Sequence, residues 1–119
     1  MSLGAAAMAA LDDLVDVLKT AKVAASANVG QVQVPGAWVT PRTITPLTLD
    51  GGAVLRCHVY LIVAESDATD SVKGLGKLLD LALAVVDPDE PIDTAQAVAL
   101  PDTPPLPAYR LTVDIDLTP

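Results

Sequence analysis

His58 is the one histidine of the chain, and Cys57, the one cysteine, stands beside it in "AVLRCHVYLIVA", 53–64. A histidine does acid–base work only when an acid or nucleophile lies within hydrogen-bond reach. The run "RLTVDIDL", 110–117, offers two carboxylates, Asp114 and Asp116, should it lie beside the histidine's strand. A polar cross-strand pair on a half-wet sheet face explains the same residues without chemistry, and that is the reading we expect. Cys57 alternates in step with Leu55, Val59, Leu61 and Val63, so it reads as a small core hydrophobe, not a nucleophile. One cysteine also excludes an internal disulfide framework and a cysteine-built zinc site.

Three further stretches invite a chemical reading. "GLGK", 74–77, has glycines before a lysine, but the spacing of a phosphate loop is missing and Leu78 stands where a magnesium-binding hydroxyl belongs. "DPDEPID", 87–93, gathers four acids, yet it holds two prolines and lacks the glycine bend of a calcium loop, so a solvated acidic loop is expected. Trp38, the single tryptophan, lies between Pro35-Gly36 and Pro41. It either plugs the edge of the core or anchors a partner, because interfaces favour tryptophan.

The elements that position these residues come next. A chain of 119 residues is one domain, long enough to bury a core without staples. Apolar residues make up 51%, yet phenylalanine is absent and aromatics are 3%, so Leu, Val, Ile and Ala must build the core. The net charge of -8 and a pI near 4.2 oppose non-specific nucleic-acid binding, which needs cations on phosphates. No secretory leader is expected from "MSLGAAAMAA", which lacks a basic region, and no apolar run reaches the ~20 residues of a membrane span.

Ala7, Leu11, Leu14, Val15 and Leu18 recur at helical spacing and predict a helix over 4 to about 25, ended near Gly30. Prolines 35, 41 and 46 then limit "QVQVPGAWVTPRTITPLTL" to short strands, 31–34, 37–40 and 43–49, at edges or broken by bulges. Asp50-Gly51 suits a hairpin turn. The strand 53–64 is central or half of a long hairpin, with Val54, Arg56, His58, Tyr60 and Ile62 on a mixed second face. Ser66 or Asp67 caps a helix over 68–86, stopped by Pro88. Strands at 95–100 and 108–117 close the chain around a stiff "PDTPPLP". The order is α-β-β-β-α-β-β: an α+β fold of two amphipathic helices packed on a mainly antiparallel β-sheet, in a single domain spanning 1–119.

This layout resembles the tail terminator (tail completion) proteins of long-tailed, siphovirus-type bacteriophages, in particular those of actinobacteria. Three stretches carry the resemblance: "ALDDLVDVLKTA" leading to "VPGAWVTPRTITPLTL"; "AVLRCHVYLIVAESDATDSVKGLGKLLDLALAVV"; and "LPAYRLTVDIDL". Together they span nearly the whole chain, as a match of pattern without a sharp motif. The resemblance implies a structural virion protein, made in the host bacterial cytoplasm. It would form a ring, in the expected case a homohexamer, at the head-proximal end of the tail tube. The ring would end tail polymerisation and join the tail tube protein to the head–tail connector or stopper protein, while genomic DNA passes without specific binding. It implies no catalytic residue, metal, cofactor or membrane contact.

On that reading Trp38, Pro41 and Arg42 are candidate subunit-interface residues, because the proline-rich segment 35–46 looks poorly satisfied within its own sheet. Asp87, Asp89, Glu90, Asp114 and Asp116 are candidate channel-facing acids that would repel phosphates. The strand acids could instead pair with Arg56 or Arg110 across strands. Two alternatives stand beside the terminator: a head–tail connector or neck protein of the same machinery, and a small α+β ligand-binding module centred on His58 and Arg56.

Overall fold

The computed structural model describes residues 2–47, 52–64 and 68–117. The element order is α1 (Leu3–Thr20), β1 (Ala25–Ser26), a short 3-10 turn (Val29–Gln31), β2 (Gly36–Pro46), β3 (Ala53–Ile62), α2 (Ala68–Leu83), β4 (Asp93–Val98) and β5 (Leu106–Leu117). The expected α+β plan is thus present, with its order of elements. The five strands lie in the order β1-β2-β3-β5-β4. Only the two-residue β1 runs parallel to its neighbour, and every other pairing is antiparallel. The strand 53–62 takes the central place its hydrophobicity predicts, with β2 and β5 on its two sides.

Both helices cover one face of the sheet. Leu11, Leu14, Val15 and Leu18 of α1 and Leu75, Leu78 and Ala82 of α2 close over Leu55, Cys57, Val59 and Leu61 of β3 and Leu111 and Val113 of β5. The alternation of β3 drives this arrangement. Its odd residues have no exposure, while Val54, Arg56, His58 and Tyr60 are half-buried on the other side. That other face has a second, smaller core at one end only. There Ile62, Val98, Leu100 and Ala108 pack with Val29, Val32, Val34, Trp38, Tyr60 and Leu106. The remaining part of this face is polar.

α1 ends earlier than its apolar spacing predicts. Lys22 adopts a left-handed φ of 69°. Val23 N–H then reaches back to Leu18 C=O, and Lys22 N–H to Lys19 C=O, at 3.1 Å each. This double closure terminates a helix with Val23 packed against its last turn, and it ordinarily uses glycine at the left-handed position. Lys22→Gly relieves the Cβ clash there, and we expect a gain of about 1 kcal/mol, read as a higher urea midpoint at unchanged m-value.

α2 stops at Leu83, short of the expected 86, because Pro88 cannot donate to a continuing helix and disfavours helical backbone before it. β2 runs unbroken through Pro41 by inserting Arg42 as a bulge between Pro41 and Thr43. The segment 36–46 is therefore paired with β3 along its length, which corrects the expectation that it is poorly satisfied within its own sheet. The strand expected at 31–34 is not formed: Val29–Gln31 make a 3-10 turn, and 32–34 have no strand pairing. The Asp50-Gly51 turn and the Ser66 or Asp67 cap lie outside the described residues.

Candidate functional site

The polar part of the open sheet face carries most of the residues singled out from sequence. It forms because β3 and β5 pair with Arg56 opposite Asp114, His58 opposite Thr112 and Tyr60 opposite Arg110. Arg56 grips Asp114 in a fork, Nε to Oδ1 at 2.8 Å and Nη2 to Oδ2 at 2.9 Å. A third arm, Nη1, reaches Glu90 at 3.1 Å. Such two-bonded arginine–carboxylate pairs fix geometry as well as charge. Arg110 is held more loosely, 3.5 Å from Asp93, and its Nε is buried without a partner among the described residues.

Asp89 has a different role. Its N–H donates to Thr112 C=O at 2.8 Å, and its carboxylate accepts from Asp114 N–H at 2.7 Å. β4 pairs with β5 only as far as Arg110, so Asp89 continues the pairing for two more residues and blunts an exposed edge. Sequence reasoning placed Asp89 in a solvated acidic loop and missed this. No local signal carries it, since the partner strand lies 25 positions away.

The remaining sequence candidates fall as follows. Asp114 takes the cross-strand pairing with Arg56, and Asp116 is exposed opposite Val54. Asp87 is exposed, and neither it nor Asp116 makes a hydrogen bond or ion pair with a described residue. Pro41 and Arg42 are exposed on the outer side of β2. Trp38 is half-buried, stacked on Tyr60 with centroids 5.4 Å apart and 22° between planes. It fills the edge of the second core, the first of the two roles its sequence context allowed.

This geometry leaves no assembled acid–base pair among the described residues. His58 has only a long contact, 3.4 Å, between Nδ1 and the Tyr60 hydroxyl. Of the two carboxylates that sequence offered as its partner, Asp114 is spent on Arg56 and Asp116 lies opposite Val54. Cys57 is fully enclosed, and burial first, then the negative charge of Asp114, push its thiol up to about 11. It is an inert core residue. No group of histidine, cysteine or acid side chains suited to a metal ion occurs among the described residues. No helix among them is long and apolar enough to cross a membrane.

The same network sets a pH dependence. Burial, then the charges of Arg110, Arg42 and Arg56, hold His58 below its ordinary 6.5. The hydrogen-bonded Arg56 holds Asp114 below 3.8, and the Ala95 N–H and Gln96 amide do the same for Asp93. Each group has its folded pKa below its unfolded one, so each binds protons more readily when the chain is unfolded. Its stabilisation is present above the unfolded value and is lost as pH falls towards the folded one. We expect melting temperature to decline in two stages on acidification, first below 6.5 from His58 and again below 3.8 from the two aspartates. His58→Gln should remove the first stage and keep the second. A wild-type decline with no component above pH 3.8 would contradict the assignment.

Comparison of the chain with protein-family models, with curated proteins and with solved structures finds no match.

Proposed function

We propose that this chain is a structural ring protein of a phage tail, a tail terminator that caps the head-proximal end of the tail tube. It ends tail polymerisation, offers its outer surface to the head–tail connector, and leaves a hole for DNA. One observation carries the reading. Among the described residues, Arg56 is tied to Asp114 and Glu90, and Arg110 to Asp93, so these side chains form a scaffold and do not converge on a pocket. A face built this way suits assembly better than turnover. The two helices on one face of a mainly antiparallel sheet, in the order the resemblance implies, agree with it.

Asp87 and Asp116, exposed and without a hydrogen bond or ion pair to a described residue, are the acids left free for either a channel wall or a contact between subunits. Asp114, Asp89 and Glu90 have structural partners and would contribute charge without being free to move. Such a wall repels phosphates, and a subunit charge of -8 multiplied around a ring strengthens the effect.

The test is to mix the purified full chain with tail tubes of its phage and image the tube ends. A ring on one end, with tubes that stop growing when further tube protein is added, is the expected result. Binding to the connector but not to the tube would favour the neck-protein reading. An apolar groove of about 470 Å³ between α1, the segment after α2 and β5 favours a small-ligand module, although it lies away from His58 and Arg56, where that module was expected to centre. Saturable binding of an apolar ligand there, with no effect on tubes, would replace the terminator reading.

A further inference from the structure

The sheet is asymmetric in charge from one side to the other. On the β2 side, Arg42 sits at the bulge and makes no hydrogen bond or ion pair with a described residue. On the β5 side, Asp114 and Asp116 are joined by Asp87, Asp89 and Glu90 of the loop that follows α2. Arg56 and Arg110 are already neutralised, so among the described residues of the sheet Arg42 is without an acid partner on one side, and Asp87 and Asp116 are without a cation on the other.

The two sides are also asymmetric in shape. Residues 41–47 are all exposed, including Ile44 at 42% and Leu47 at 49%, although Ile44 and Pro46 lie on the helix-covered side opposite Leu55 and Ala53. No helix among the described residues reaches over them. Beside β5, on that same side of the sheet, lies the apolar groove of about 470 Å³, floored by Val113, Ile115 and Leu117 and walled by Ala9, Ala10 and Val85. Asp87 and Asp116 stand at its lip. Beyond Asp114, which Asp89 caps, β5 has no strand pairing on this side.

β2 and β5 are both antiparallel to β3, so they run parallel to each other. A second copy moved sideways can therefore bring the exposed end of its β2 beside the end of this β5 beyond Asp114 and keep both faces in step. Its Ile44 and Pro46 then meet the groove, and its Arg42, at the bulge beside them, meets Asp116 and Asp87. The symmetric alternatives are poorer. Two β2 edges oppose Arg42 to Arg42, and two β5 edges oppose acid to acid. Pro41 and Pro46 lack N–H groups, so a full backbone ladder cannot form and the contact rests on the groove and the charges.

We propose that copies of this chain associate head to tail, the exposed segment 41–47 of one seated in the groove between α1 and β5 of the next, with Arg42 paired to Asp116 and Asp87. This inference rests on the ring reading above and names the contact that builds the ring. A head-to-tail contact of this kind closes into a ring when its rotation permits.

The test uses the full chain in solution, followed by sedimentation and light scattering over rising concentration, with melting curves to verify that each variant is folded. Wild type should associate, and less so as salt rises. Arg42→Glu and Asp116→Arg should each weaken association by about tenfold or more. An equimolar mixture of the two variants should restore it, because each reversed edge then faces a complementary one, and the restored assemblies should hold even numbers of subunits. In wild type bearing Ile44→Cys and Ile115→Cys, oxidation should link different copies. Wild type that stays monomeric without such cross-links overturns the proposal. So does association that either charge variant leaves unchanged, or that Arg42→Ala strengthens, as a β2–β2 dimer relieved of its facing arginines would. Those failures leave the terminator reading standing if the chain still caps tail tubes. Failure to cap tubes despite head-to-tail association sinks the terminator reading and leaves the contact standing.

Discussion

Gly36→Ala is expected to destabilise the chain by about 3 kcal/mol, the upper end of what overpacking costs. Gly36 starts β2 and is buried opposite Ile62. A Cβ there would run into the backbone carbonyl oxygens of Gln33 and Ala24. Neither belongs to a flexible side chain that could swing away. Ala24 C=O is also the acceptor for Ala37 N–H at 2.8 Å, so relieving the clash breaks the hydrogen bond that seats β2 on β1. Out of a total stability of roughly 5–15 kcal/mol, such a loss is large. The measurement is the urea midpoint, together with faster hydrogen exchange at Ala37. Gly76→Ala supplies the contrast. Gly76 sits inside α2 with nothing within 4 Å of its added Cβ. Alanine there should stabilise by about 0.5–1 kcal/mol, the helix-propensity difference. Equal effects at the two glycines would refute the steric account.

Ile62→Ala is expected to cost about 3 kcal/mol, within the range for truncating a fully buried large aliphatic residue. Ile62 has no exposure and is the central member of the second core, between Trp38, Val98, Leu100 and Ala108. Leu61, its neighbour, is equally buried but faces the helices, so the end of β3 is covered on both sides. Val54, on the same face as Ile62 at the other end of the strand, is only half-buried, and Val54→Ala should cost less than about 1 kcal/mol. Chemical denaturation of the two variants side by side measures the difference. Similar losses would mean that the open face is covered along its whole length, which would remove the polar surface on which the proposed assembly depends.

The amphipathic spacing of α1 and α2 and the alternation of 53–64 and 110–117 were legible, because each reflects a period within one segment; the prolines announced the bulge in β2 but not that 36–46 pairs as one strand. Those local patterns suffice for an α+β plan in the observed order. Boundaries were less legible. Lys22 in a left-handed conformation ends α1 without the glycine that advertises such an end. The terminal strand's alternation marked its apolar face, but its two carboxylates looked equivalent.

Sequence alone therefore determined the buried stripe of α1 and the buried face of 53–64, that the core is aliphatic, and that a single cysteine builds no disulfide framework. Tertiary structure alone decided what the polar residues do. Register put Asp114 opposite Arg56 and left His58 opposite Thr112, making one carboxylate a scaffold and the histidine partnerless as a base. The folding of the 87–92 loop against β5 turned Asp89 into an edge cap and brought Glu90 to Arg56. The physical reason is one of range. Burial periodicity is written into consecutive residues, whereas a hydrogen bond or ion pair depends on side-chain separations of a few ångströms between segments far apart in the chain. Those separations exist only once the strands have found their register.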